Sequence, residues 1–208
     1  GVGLSVNTKA QMDHSAPMAT SPTAKGNVLC QGSHLECAHA ATPFIANDGK
    51  LFLVWSAGGV VNFAQSSDLG KSFSDPITIG EHGKSLDAGS DARPQVVADA
   101  RGNVLVAYAF FKDSNWNAQI NTARSQDGGK TFTTPKSLIN DGASQRFPSL
   151  ILVPNHRIFI AWIDKRLVAS AKKSGQQRLG GSIAYSFSDD WGNSFSAEQI
   201  ANESSCEC

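Results

Sequence analysis

The chain has 208 residues, 18 basic against 18 acidic, and only 17% charged in all, below the roughly 25% of ordinary soluble domains. That balance leaves no basic footprint for nucleic acid or an anionic membrane, and no apolar run approaches the ~20 residues of a membrane span. The length suffices to bury a core in one or two domains, and the weakly charged, turn-rich composition points to an all-β protein.

Residues 1–40 form an N-terminal arm without an initiator Met or a basic-then-apolar leader. This fits either a mature end after signal removal or an imposed cut, and the expected location is periplasmic or extracellular. The arm contains "MDHSAPM", with Met12, His14 and Met18, and "CQGSHLECAH", with Cys30, His34, Cys37 and His39. Cys206 and Cys208 lie at the other end of the chain. In an exported protein such clusters read either as disulfides or as a soft-ligand site for copper or zinc. "MDHSAPM" also resembles the Met/His-rich segments of bacterial copper-resistance proteins, over those seven residues only. If the two cysteine clusters open facing blades of one ring, they converge on its axis.

Residues 41–203 repeat. Apolar runs "GKLFLVW", "GNVLVAY" and "HRIFIAW" end on Trp55, Tyr108 and Trp162, and read as strands buried on both faces. Ahead of each lies a proline, Pro43, Pro94 and Pro148, which suits the first residue of a strand. After each comes a third strand and then an octet: "SSDLGKSF", "SQDGGKTF" and "SDDWGNSF". The octets place Asp68, Gly70 and Phe73, then Asp127, Gly129 and Phe132, then Asp190, Gly192 and Phe195 at matching positions. A loop repeated about every 60 residues has a structural role: the aspartate accepts backbone N–H groups of its own turn, the glycine allows positive φ, and the phenylalanine packs inward. The unit predicts a β-propeller of four-stranded antiparallel blades, with three blades over about 41–90, 91–144 and 145–203. Residues 204–208 fall where a fourth blade is expected to begin. The ring is then completed either by further chain, half of a six-bladed propeller being present, or by a second chain. Only residues 167–179, "LVASAKKSGQQRL", break the pattern, as a surface loop or short helix.

The octets resemble the Asp-box, or BNR repeat, of sialidases and sialidase-like six-bladed propellers. The resemblance runs from about Thr42 to Phe195. It implies a propeller fold and allows an exo-sialidase-type glycoside hydrolase, whose catalytic half would lie elsewhere. The family's catalytic pattern is not matched. Where it has Phe-Arg-Ile-Pro, this chain has Ala41-Thr42-Pro43, and where it has an acid/base aspartate, the connection reads "SAGGVVN". Tyr108 and Tyr185 lie in strands and neither is placed as a nucleophile. The expectation is therefore a non-catalytic propeller that binds a small-molecule ligand or a soft metal at its hub. Arg93 and Arg146, at the starts of inner strands, and Asp164 and Arg166, in "AWIDKR", are the ligand-facing candidates. Their alternative role is mutual pairing, with Asp164 or Asp91 against an arginine of the next blade.

Overall fold

The computed structural model describes residues 35–178 and 180–205. The first blade is β1 (Ala40–Ile45), β2 (Leu51–Ala57), β3 (Val60–Ser66) and β4 (Ile77–Glu81), paired in that order and antiparallel throughout. The second contains β5 (Leu86–Asp87), β6 (Gln95–Ala98), β7 (Val104–Phe111), β8 (Ala118–Ser125) and β9 (Lys136–Ser137). The third contains β10 (Gln145–Val153), β11 (Arg157–Asp164), β12 (Gly181–Ser188) and β13 (Gln199–Ser205). Residues of the 167–179 segment form a short helix, α1 (Arg166–Lys173), between β11 and β12. Among the described residues no helix is long and apolar enough to cross a membrane.

Period-two alternation explains how the blades stack. On β7, Val104, Val106 and Tyr108 pack against Phe52, Val54, Val61 and Phe63 of the first blade. The intervening Leu105, Ala107 and Ala109 pack against Ile158, Ile160 and Trp162 of the third. The middle blade is thus apolar on both faces, which is why its second strand reads as an unbroken hydrophobic run. Trp55 belongs to a third cluster, covered by Cys37 and Ala38 beside the 3-10 turn Leu35–Cys37.

Two features depart from the sequence reading. The prolines do not all open strands. Pro94 directly precedes β6, but Pro43 lies inside β1 opposite Leu53, and Pro148 lies inside β10 at a bulge between Arg146 and Ser149. Inner strands pair along one edge only, so a missing N–H on the hub side costs no ladder bond. The second blade also begins earlier than residue 91. Leu86 and Asp87 pair with Phe110 and Ala109 of β7, and Gln95–Ala98 pair further along the same strand. Its inner strand is one line in two pieces, split by a loop over 88–94.

Each octet is closed by the same bonds. In the second, Ser125 Oγ donates to Asp127 Oδ1 (2.7 Å) and accepts the Gly129 N–H (2.9 Å); Asp127 accepts the Thr131 N–H (3.0 Å) and hydroxyl (2.6 Å). The first and third repeat this with Ser66, Asp68, Gly70 and Ser72, and with Ser188, Asp190, Gly192 and Ser194. The clasp also reaches the preceding blade. Phe132 meets Phe63 edge-on at 5.0 Å, and a Cβ on Gly129 would clash with the edge of the Phe63 ring. Gly192 stands likewise against Leu105, with Phe195 in the same cluster. Gly70 meets Leu51 and Phe73, both of its own blade, and Phe73 is exposed.

Candidate functional site at the upper hub

Antiparallel order puts the inner-strand starts and the β2–β3, β7–β8 and β11–β12 connections at one end, called here the upper end. The Asp-boxes and the first hairpin of each blade lie at the other. Register identifies equivalent upper positions. Ala40 pairs with Ser56, Asp87 with Ala109 and Arg146 with Ile163, each partner following the strand's anchoring aromatic. The prolines align Arg93 with Arg146, but by register the equivalent of Arg146 is Asp87.

Those two residues meet. Arg146 Nε lies 2.7 Å from Asp87 Oδ2 and Nη2 lies 2.9 Å from Oδ1, a two-pronged pair joining adjacent inner strands. The Asp87 carboxylate is 5% exposed and the arginine side chain 26%. The guanidinium also lies 4.3 Å from the Phe147 ring centroid and 5.1 Å from that of Phe111, within cation–π range. The expected partner Asp91 is instead exposed in the 88–94 loop. Arg93, in that loop, is exposed and donates its Nε to the Ser90 carbonyl (2.9 Å).

Asp164 is buried and accepts the Trp162 indole N–H (2.9 Å), the Arg166 backbone N–H (2.8 Å) and Arg166 Nε (3.0 Å). Arg166 continues to Glu198. Donation to Asp164, and after it to Glu198, pushes the guanidinium pKa up against the effect of burial, and Arg166 holds Glu198 below the usual carboxylate range. The anticipated pairing of Asp164 with an arginine therefore exists, but within one blade. It fixes the entry to α1.

The β7–β8 connection is braced from several sides. Lys112 Nζ donates to the carbonyls of Asp141 and Ala143, both at 2.6 Å, and burial pulls its pKa down. Asp113 accepts the N–H groups of Asn115 (2.9 Å) and Asn117 (3.2 Å) and the Asn117 amide (2.8 Å). The Asn117 amide bond is the main cause of its lowered pKa. At the tip, Trp116 is 70% exposed and contacts Phe111 edge-on at 5.0 Å. Sequence reasoning missed Asp87, Phe111 and Trp116. A legible signal existed for the loop: the Asp-x-x-x-Asn spacing of Asp113 and Asn117 recurs in Asp99 and Asn103, which make the same bonds.

The soft-ligand candidates divide. Met12, His14, Met18, Cys30, His34, Cys206 and Cys208 lie outside the described residues. Cys37 is disulfide-bonded, so its sulfur is not a thiolate ligand. His39 is exposed, and among the described residues no group of three or more His, Cys, Asp or Glu side chains is arranged to hold a metal. Tyr108 is buried with its hydroxyl 3.2 Å from His82 Nε2, and burial pushes its pKa up. Tyr185 packs tilted against Phe159 at 5.5 Å and edge-on against Phe187 at 6.0 Å on the third blade.

No protein-family model matches the chain, and no curated protein does. Solved structures do. An α-L-arabinanase of Penicillium chrysogenum, complexed with arabinobiose, matches at 16% identity over 78% of this chain and 50% of its own, with a TM-score of 0.55. An α-L-arabinofuranosidase of Fusarium graminearum matches at 17% identity over 79% and 48%, with a TM-score of 0.53. A polysaccharide lyase, an ulvan lyase, matches at 12% identity over 75% and 36%, with a TM-score of 0.53. The chain spans about half or less of the length of these proteins. At such identities the likeness is one of fold: this is an unclosed three-blade stretch of a β-propeller.

Proposed function

We propose that the chain is part of a carbohydrate-recognising β-propeller and holds a neutral saccharide at the upper hub, as a binding surface rather than a catalytic one. The observation that carries this reading is the neutralised platform made by Arg146. Its guanidinium is flanked by Phe111 and Phe147, and its charge is matched by Asp87. Flat apolar faces beside fixed polar edges suit the apolar face and hydroxyl rim of a sugar ring. An arginine that grips a sialate carboxylate has a charge to give; this one is already paired. Exposed Ser90, Asp91 and Arg93 in the adjoining loop supply further hydroxyl-bonding groups. Asp87, Asp164 and Glu198 each accept an arginine and act as counter-ions, which argues against their use as proton donors.

Calorimetric titration tests this with arabinobiose, a linear arabinan oligosaccharide and 3′-sialyllactose. Binding of a neutral sugar, lost in Arg146→Met, is expected. Arg146-dependent binding of sialyllactose alone, or binding of none, overturns the reading.

A further inference from the structure

Trp116 occupies a position that its loop geometry would assign to another residue. Its φ is +62°, in the left-handed region that favours glycine or asparagine and strains a bulky side chain. Other left-handed non-glycine residues have a reason in the repeat or the ladder. Leu69 and Trp191 stand where the second octet has Gly128, Asn155 and His156 form a hairpin turn, and Phe147 sits in the β10 bulge. The β7–β8 connection also needs one left-handed residue before β8, a common hairpin geometry. Glycine or asparagine would fill it without cost, yet tryptophan is present and 70% exposed.

The surroundings hold that backbone in place. Asp113 fixes the backbone on both sides of Trp116 through Asn115 and Asn117. Lys112 N–H closes the loop on the Asn117 carbonyl (2.9 Å), and the Trp116 N–H donates to the Asp113 carbonyl (3.3 Å). The indole contacts Phe111, and Phe111 lies under the Arg146 guanidinium. Trp116, Phe111, Arg146 and Phe147 thus form a continuous array from loop tip to inner strand, closed at its hub end by Asp87.

We infer that Trp116 is the outer stacking platform of the upper hub, presented in a strained but pre-set conformation to the apolar face of a saccharide ring. This rests on the saccharide-binding reading and adds a specificity-determining residue to it. Pre-setting the backbone that carries the ring reduces the ordering cost on binding.

The protein offers a selective readout. Of its four tryptophans, Trp55, Trp162 and Trp191 are buried, so acrylamide quenching of intrinsic fluorescence reports chiefly on Trp116. The 208-residue chain is titrated with arabinobiose and a linear arabinan oligosaccharide, with quenching and calorimetry read together. Sugar is expected to protect the accessible tryptophan. Trp116→Asn should weaken binding at least tenfold while leaving the melting temperature unchanged or higher, and Trp116→Phe should retain binding within about threefold. A purely structural tryptophan would give the reverse, with Trp116→Asn melting lower and binding unchanged. If the wild type binds sugar and Trp116→Asn binds equally, or bound sugar gives no protection from quenching, the inference fails and the hub reading stands. If the wild type binds no saccharide, both fail. Should Trp116→Asn not fold, wild-type quenching and Trp116→Phe decide the matter.

Discussion

At the lower rim the three Asp-boxes repeat their hydrogen bonds residue for residue, whereas at the upper end the three equivalent inner-strand positions hold Ala40, Asp87 and Arg146. Both ends hang on the same strands and the same register. The boxes solve a problem common to every blade, closing the outer hairpin, and the second and third also seat it on the blade before. The inner-strand starts have no such common task, so their side chains are free to differ. In this propeller, repetition marks what closes each blade, and departure from repetition marks the inner-strand ends that carry the Asp87–Arg146 pair.

The largest effect at the lower rim is expected from Gly129→Ala. Its Cβ would meet the buried Phe63 ring and also occupy φ +84°, for an expected loss of about 3 kcal/mol in denaturant unfolding. Gly70→Ala has the same φ problem without a neighbouring blade, and should cost only about 1 kcal/mol. Equal losses would show that the boxes are hairpin clasps alone.

Next in size is Arg146→Met, which strands the nearly buried Asp87 carboxylate and should cost about 2–3 kcal/mol. Adding Asp87→Leu should restore much of that stability but not saccharide binding. Recovery of both would place the pair outside the site.

Smaller again is Ser125→Ala, which removes the hydroxyl shared by Asp127 and Gly129, at about 1–2 kcal/mol. The boxes should also respond to acid. Hydrogen bonds from Ser72 and Ser66 hold Asp68 at about 2. Burial pushes Asp190 up, but the bonds from Ser194 and Ser188 outweigh it and hold it at about 2. Asp127 is held lower still by Thr131 and Ser125. A carboxylate near 3.9 when unfolded and about 2 when folded contributes fully above pH ~4, and loses that contribution as pH falls through ~2. Melting temperatures from pH 6 down to 2 should therefore fall, and fall less in Asp68→Asn. The smallest change is a gain: Leu69→Gly relieves φ +59° at an exposed site and should add about 0.5–1 kcal/mol.

Much of this fold was legible in the chain. Trp55, Tyr108 and Trp162 are buried at matching positions of β2, β7 and β11, and Asp68, Asp127 and Asp190 close their own turns, because both signals depend on residues near in sequence. The hub was legible only in part. Arg146, Asp164 and Arg166 were identified as candidates, but Arg93 was aligned with Arg146 although it belongs to a seven-residue loop that interrupts an inner strand. Asp87 was missed because its role depends on a pairing with β7 that no local pattern announces. Trp116 was missed because an exposed aromatic in a polar loop has no period, and its left-handed backbone is visible only in three dimensions.

The architecture is written in the chain itself: strand cores, octet turns and their spacing are local and repeated, so the same physics applies three times. Tertiary structure alone decided register, and with it which side chains share the hub. Register depends on cross-strand bonds between distant segments, and a bulge at Phe147 or an inserted loop at 88–94 shifts one strand against its neighbour without altering the apolar pattern of either.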